Sequence, residues 1–71
     1  MYREKKTLFW NGQPLVHNQE ERDSWEVIIV LPGVEVIPES TFTECQNVKT
    51  VIMADTVRRI EDYAFEYCFS L

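Results

Sequence analysis

The sequence predicts a mixed α/β repeat fold, built mainly of short β-strands with short helical turns, with about two 23-residue repeats after an N-terminal strand and cap. Phe42 and Phe65 are 23 positions apart, and the same spacing relates Val34 to Val57, Ile37 to Ile60 and Cys45 to Cys68. Turn-forming pairs repeat at this spacing too, as Pro32-Gly33 and Asp55-Thr56. A fixed period of about 20 to 50 residues is the sequence signature of stacked repeats.

Length and charge narrow the possible functions. The chain has 71 residues, enough for one small domain, and a net charge of −5. This charge argues against binding to nucleic acid or to an anionic membrane, because both require Lys and Arg to neutralise phosphate. The longest apolar run, Val27–Leu31, is far shorter than the roughly 20 residues of a membrane-spanning helix. No signal peptide is visible either, so we expect an intracellular protein with reduced thiols.

Residues 1–24 are expected to form an N-terminal cap. After the polar segment Met1–Lys6, Leu8–Trp10 is typical of a short strand, and Asn11-Gly12 is a strong turn signal because both residues tolerate positive φ. His17–Ser24 is polar and charged, which predicts a solvated connector.

Residues 25–71 divide into units 25–47 and 48–71, the last of which looks incomplete. β-branched runs predict two strands in each unit: Trp25–Val30 and Val34–Ile37 in the first, Val48–Met53 and Val57–Ile60 in the second. A short helical turn should then carry Phe and Cys inward. Pro38 suits the first turn of such a helix, with Ser40 or Thr41 as its cap.

Stacking of the two units in register would place equivalent side chains in columns. The residues expected to form this repeat core are Trp25, Ile28, Val30, Val34, Ile37, Phe42, Cys45, Val48, Val51, Met53, Val57, Ile60, Phe65, Cys68 and Leu71. The residues between the core positions should face outward from the strands: Glu26, Val27, Ile29, Lys49, Thr50 and Ile52. Opposite charges then fall in adjacent slots, with Glu26 beside Lys49 and Glu35 beside Arg58, which favours this register.

The outward residues form the candidate protein-binding face. Ile29 and Ile52, with Val27, would place an apolar strip on the outer surface of the sheet, as is common at partner surfaces. One alternative is that the N-terminal segment covers this strip, with Phe9 or Trp10 lying over it. Another is that a few outward aliphatic residues are ordinary in strands.

No set of residues predicts catalysis, a metal or a cofactor. Zinc requires about four ligands, and His17 with Cys45 and Cys68 does not supply them. The single His has no nucleophile near it in sequence. A Cys45–Cys68 disulfide is disfavoured because stacked units would hold the two Cβ vectors parallel, so buried reduced thiols are expected.

Two segments carry a specific resemblance. They are residues 34–48 and the equivalent residues 57–71, and both resemble units of the BspA-type leucine-rich repeats. The pattern of that family runs Val-x-x-Ile-(Gly)-x-x-Ala-Phe-x-x-Cys-x-x-Leu. In residues 34–48 the matching residues are Val34, Ile37, Phe42, Cys45 and Val48. This chain departs from the pattern at Pro38 and Glu61, which replace Gly, at Thr41, which replaces Ala, and at Val48, which replaces Leu. The resemblance implies a right-handed solenoid and protein recognition or adhesion, with no catalytic residues.

Two functions follow as hypotheses. The first is a non-enzymatic interaction module that binds another, unidentified protein through the outer face of a small solenoid sheet. The second is a structural N-terminal cap fragment of a longer repeat protein, because about three stacked units are usually needed for stability and Leu71 fills a slot that begins a strand. The open C-terminal end is also expected to allow edge-to-edge self-association.

Overall fold

The computed structural model describes residues 6–71, so residues 1–5 of the expected polar N-terminal segment lie outside the described part. Short strands dominate this part of the chain, which contains little helix. The elements in chain order are β1 (Thr7–Trp10), α1 (Gln19–Ser24), β2 (Val27–Val30), β3 (Val36–Ile37), β4 (Thr50–Met53) and β5 (Arg59–Ile60).

The strands form two parallel sheets, neither of which closes on itself. One sheet has three strands in the order β1-β2-β4, and the other has two strands, β3 and β5. Ile28 pairs with Val51, and Ile37 pairs with Ile60, so both sheets align residues 23 positions apart. The register expected from the sequence is therefore present in the structure. We call residues 25–47 the first segment and residues 48–71 the second segment.

Each pair of strands is shorter than predicted and is separated by a tight turn. In the first segment the turn includes Gly33, whose φ is 100°, and the N–H of Val34 donates to the carbonyl of Leu31 at 3.3 Å. In the second segment the N–H of Val57 donates to the carbonyl of Ala54 at 3.2 Å. The turns predicted at Pro32-Gly33 and Asp55-Thr56 are confirmed.

The helical turns predicted at the end of each segment are wrong. Residues 39–44 and 62–67, which we call the turn wall, form successive turns and no helix. Positive φ angles interrupt any helix there, with Ser40 at 60° and Glu44 at 61° in the first segment. Thr41 does not cap a helix, because its hydroxyl donates to the carbonyl of Pro38 at 2.7 Å. In the first segment this backbone instead directs N–H groups toward the second segment. The N–H of Phe42, for example, donates to the carbonyl of Ala64 at 2.8 Å.

The polar connector predicted over His17–Ser24 contains a helix, α1. Asn18 is the N-cap, and its side chain accepts a hydrogen bond from the N–H of Glu21 at 2.9 Å. The sequence carries this signal, since an Asn followed three residues later by Glu resembles a capping box. The prediction of a solvated connector rested on the charged composition of this segment and did not use the capping signal.

The core lies between the sheets and the turn wall. Its buried residues are Trp10, Trp25, Ile28, Val30, Val34, Ile37, Phe42, Cys45, Val48 and Ala64. The rings of Trp10 and Phe42 meet edge to face with centroids 5.0 Å apart. Four expected core residues of the second segment are only partly buried against it: Val51, Val57, Phe65 and Cys68. Three others, Met53, Ile60 and Leu71, are exposed, which differs from the expected burial because no described segment packs on their far side.

Candidate interaction surface

The outer face of the three-stranded sheet carries a continuous apolar row. The sheet register aligns Phe9 with Ile29 and Ile29 with Ile52, one residue from each strand. Phe9 is 62% exposed and Ile52 is 53% exposed, while Ile29 is half-buried between them. We call these three residues the outer strip. Parallel strands lie about 4.8 Å apart, so the strip spans about 10 Å of nearly rigid backbone.

Two hydroxyl-bearing residues and one aliphatic residue border the strip. The adjacent row across the sheet is Thr7, Val27 and Thr50. Beyond it, the N–H of Glu26 donates to the carbonyl of Lys6, and the N–H of Lys49 donates to the carbonyl of Glu26, both at 2.9 Å. The outer strip is thus bordered by two hydroxyl-bearing residues, Thr7 and Thr50, with the aliphatic Val27 between them.

The N-terminal strand extends the outer strip and does not cover it. Phe9 lies within the row, whereas Trp10 points into the core and donates its indole N–H to the carbonyl of Gln13 at 2.7 Å. Within residues 6–71, the covering arrangement considered from the sequence is therefore not found. The repeat pattern missed Phe9 because β1 pairs with β2 at a shorter spacing than the repeat, with Phe9 beside Ile29. Alternation of inward Leu8 and Trp10 with outward Phe9 would have revealed it.

The helix α1 closes one end of the stacked segments, which we call the proximal end. Arg22 donates from Nη1 to the carbonyls of Thr41 at 3.1 Å and Thr43 at 3.0 Å. Gln19 donates to the carbonyl of Glu44 at 2.8 Å. The equivalents of Thr41 and Thr43 in the second segment, Ala64 and Glu66, accept backbone N–H groups of the first segment. Arg22 thus supplies the donors that a preceding segment would supply.

Apolar side chains are exposed at the opposite end of the described residues, which we call the distal face. Met53 is 37% exposed and Ile60 is 48% exposed, although their equivalents Val30 and Ile37 are buried. Leu71 is also exposed there, and Val51, Phe65 and Cys68 are only partly buried.

The cysteines are free thiols with raised pKa values. Burial raises the pKa of Cys45 to about 11, and the nearby Cys68 adds to the rise. Burial also raises the pKa of Cys68, whose Sγ donates to the carbonyl of Phe42 at 3.2 Å. Both groups are therefore protonated near neutral pH, and the thiolate is the reactive form of cysteine.

The single histidine packs as an aromatic ring. His17 meets Trp25 edge to face with ring centroids 5.0 Å apart, and its Nε2 lies 3.8 Å from a carboxylate oxygen of Glu21. In the part of the chain that the structure describes, no three side chains of His, Cys, Asp or Glu form a group that could hold a metal ion. The described residues also include no helix of the length and apolarity needed to cross a membrane.

Comparison with known proteins agrees with the repeat geometry. The family model of the BspA type leucine rich repeat region (6 copies) matches residues 21–71, which is most of the chain. No curated protein matches, and no solved structure matches. The matched region contains both segments, most of α1 and the paired strands that repeat between them. The chain belongs to the BspA-type leucine-rich repeat family.

Proposed function

We propose that the chain is a non-enzymatic protein–protein interaction module, folded as a right-handed solenoid of two 23-residue repeats with an N-terminal cap. The observation that carries the proposal is the outer strip, where Phe9, Ile29 and Ile52 form one exposed apolar row across three strands. Stacked repeats commonly bind partners through such extended surfaces. The proposed binding face contains the outer strip together with Glu26, Val27, Lys49 and Thr50.

The physical case rests on preorganisation and burial. Backbone hydrogen bonds hold the strands that carry the strip, so binding need not order the backbone beneath it. Each Å² of apolar surface that a partner covers contributes about 25 cal/mol before the costs of association. The chain's charge of −5 suits a protein partner better than nucleic acid. The expected partner is a protein segment with apolar side chains that meet the strip and polar groups that meet its margin.

The test is a quantitative affinity capture with a matched control. The double substitution of Phe9→Lys and Ile52→Lys places two charges in the strip at positions already exposed, so the fold should persist, as far-UV circular dichroism will show. Val16→Lys is the control because Val16 is 92% exposed and lies outside the strip. A protein captured by the wild type is purified and titrated against all three chains. We expect binding to be lost only in the double variant, and equal binding by all three would remove the proposed face.

A second candidate function is structural, namely closure of one end of a repeat array. The hydrogen bonds of Arg22 favour it, because they satisfy the carbonyls of Thr41 and Thr43, whose equivalents in the second segment accept N–H groups from the first. Asn47 also donates to the carbonyl of Asp23 at 2.7 Å and so joins the first segment to α1. If capping is the main role, the outer strip is dispensable and the distal face is the surface that matters.

A further inference from the structure

A cleft between the N-terminal cap and the first segment has the composition of a ligand site. Its volume is about 300 Å³, and it is lined by the loop of residues 12–15 and the turn of residues 38–41, with Trp10 and Arg22 completing the lining. Small-molecule sites commonly have about 300–1,000 Å³, apolar walls and a few placed polar groups. Every lining residue lies between positions 10 and 41, well inside the described part of the chain.

The walls of the cleft are apolar and held in place. Pro14, Leu15 and Pro38 contribute apolar side chains, and Leu15 also packs against the core. Trp10 is fixed by the hydrogen bond from its indole N–H to the carbonyl of Gln13 at 2.7 Å. Walls that are already ordered can cover the hydrocarbon part of a ligand at a low cost in conformational entropy.

Arg22 brings a positive charge to the cleft without a carboxylate to balance it. Its Nε donates to the carbonyl of His17 at 3.4 Å, and its Nη1 donates to the carbonyls of Thr41 and Thr43. All three acceptors are neutral, and no ion pair of Arg22 with a carboxylate is found among residues 6–71. A guanidinium has five N–H donors, so the two on Nη2 remain without an acceptor in the described chain.

The Nη2 donors of Arg22 are accessible to solvent. Among the described residues, the one buried side-chain polar atom that lacks a hydrogen-bond partner is Nδ1 of His17. Nη2 of Arg22 also lacks a partner, so it is not sealed in the interior. Because Arg22 lines the cleft, an anion in the cleft can approach this nitrogen. Hydrogen bonds between a guanidinium and a carboxylate are shorter and stronger than those between neutral groups.

Two further lining residues limit the charge that a ligand can carry. Ser40 has a hydroxyl with no hydrogen-bond partner within residues 6–71, whereas the hydroxyl of Thr41 donates to the carbonyl of Pro38 at 2.7 Å. Ser40 can therefore donate to a second oxygen of an anion. Glu39 also lines the cleft and is exposed, and its carboxylate opposes negative charge there. A single negative charge is thus favoured over the charge of about −1.5 to −2 on a phosphate monoester.

We propose that this cleft binds a small monocarboxylic acid with an apolar body. The carboxylate accepts hydrogen bonds from Nη2 of Arg22 and from the hydroxyl of Ser40, and the apolar body lies against Trp10, Pro14 and Leu15. This ligand matches both the guanidinium and the apolar walls, whereas a ligand with several negative charges is opposed by the nearby carboxylate. The site shares no residue with the outer strip, so the inference goes beyond the proposed interaction function and does not depend on it.

The experiment titrates the full 71-residue chain, under reducing conditions, with 3-phenylpropanoate as the probe. Binding is followed by two-dimensional NMR of the amide and indole N–H groups. We expect saturable binding with a Kd on the order of 1 mM or tighter. The largest shifts should occur at the indole of Trp10 and the amides of Leu15 and Thr41, and the indole of Trp25 serves as the internal reference. The neutral analogue 3-phenylpropanamide should bind roughly tenfold more weakly or less.

Three single variants test the charge requirement in opposite directions. Glu39→Gln removes the opposing carboxylate and should tighten binding about two- to fivefold, a change that damage to the fold would not produce. Ser40→Asp places a carboxylate in the lining and should weaken binding roughly tenfold or more. Gln46→Asp adds the same charge at an exposed position outside the lining and should leave the Kd within about twofold of the wild-type value.

Four results would overturn the inference: no saturation by about 10 mM acid, equal affinity for the acid and the amide, shifts centred outside the cleft, or a Glu39→Gln variant that does not bind more tightly. A short peptide ending in phenylalanine that binds more tightly than the free acid would also overturn it, because the occupant would then be a chain terminus. The comparison of acid with amide uses the wild type alone, so the test stays decisive even if a variant fails to fold.

Discussion

Phe42 and Phe65 stack with ring centroids 5.4 Å apart and an interplanar angle of 22°. Trp10 meets the same Phe42 ring edge to face at 5.0 Å. Phe42 is therefore the central ring of three, joining the N-terminal strand to both segments. Phe65, its equivalent in the second segment, has one such neighbour and stays partly exposed. Equivalent residues of the repeat should therefore contribute unequally to the stability of the fold.

This difference predicts unequal losses of stability. Phe42→Ala should lower the free energy of unfolding by about 3–5 kcal/mol, because it removes a fully buried ring and leaves a cavity. Phe65→Ala should cost roughly half as much, since part of that ring is already in water. Urea denaturation followed by tryptophan fluorescence measures both. A small domain has a stability near the low end of about 5–15 kcal/mol, so Phe42→Ala should leave little folded protein. Equal losses would contradict the central position of Phe42.

Arg22 should stabilise the fold far more than Arg58. Arg22→Met should lower the free energy of unfolding by about 1–3 kcal/mol, because the carbonyls of Thr41 and Thr43 lose a charged donor. The matched control is Arg58→Met, since Arg58 forms only an exposed ion pair with Glu35 at 3.3 Å and should change stability by less than about 0.5 kcal/mol. Thermal and urea unfolding of the two variants provide the comparison. Similar effects would show that α1 does not cap the proximal end through this side chain.

Cys45 should make stability depend on pH in alkaline solution. Its pKa rises from 9.0 to about 11 on folding because the thiolate is disfavoured by burial. The folded state thus holds the proton more tightly than the unfolded state does. The resulting stabilisation of the fold is complete below pH 9 and is lost as the pH rises toward 11. The loss should be on the order of 2 kcal/mol.

Cys45→Ala supplies the control for this titration. Other groups that ionise in the same range are present in both chains, so the difference in unfolding free energy reports the ionisation of Cys45 together with its coupling to Cys68. The wild type should lose its advantage between pH 9 and pH 11, and iodoacetamide should modify Cys45 only on unfolding. A pH-independent difference between the two chains would refute the assignment.

The 23-residue period could be read from the sequence because an apolar side chain is required wherever a column runs through the core. Ile28 with Val51 and Ile37 with Ile60 fall in register for this reason. Turns were also predictable at Gly33, where a positive φ favours glycine. These features are local or periodic, so the order of residues alone contains them.

Tertiary contacts decided the features that the sequence pattern did not predict. Phe9 joins the outer strip because β1 pairs beside β2, and the 23-residue period of the sequence does not include that pairing. Arg22 acts as a cap because docking of α1 brings it to carbonyls 19 and 21 residues away. The turn wall avoids helix because N–H groups of residues 39–44 pair with carbonyls of residues 62–67, a gain that no local propensity contains. Met53 and Ile60 have core chemistry but lie exposed, since burial depends on what packs against a side chain and not on its identity.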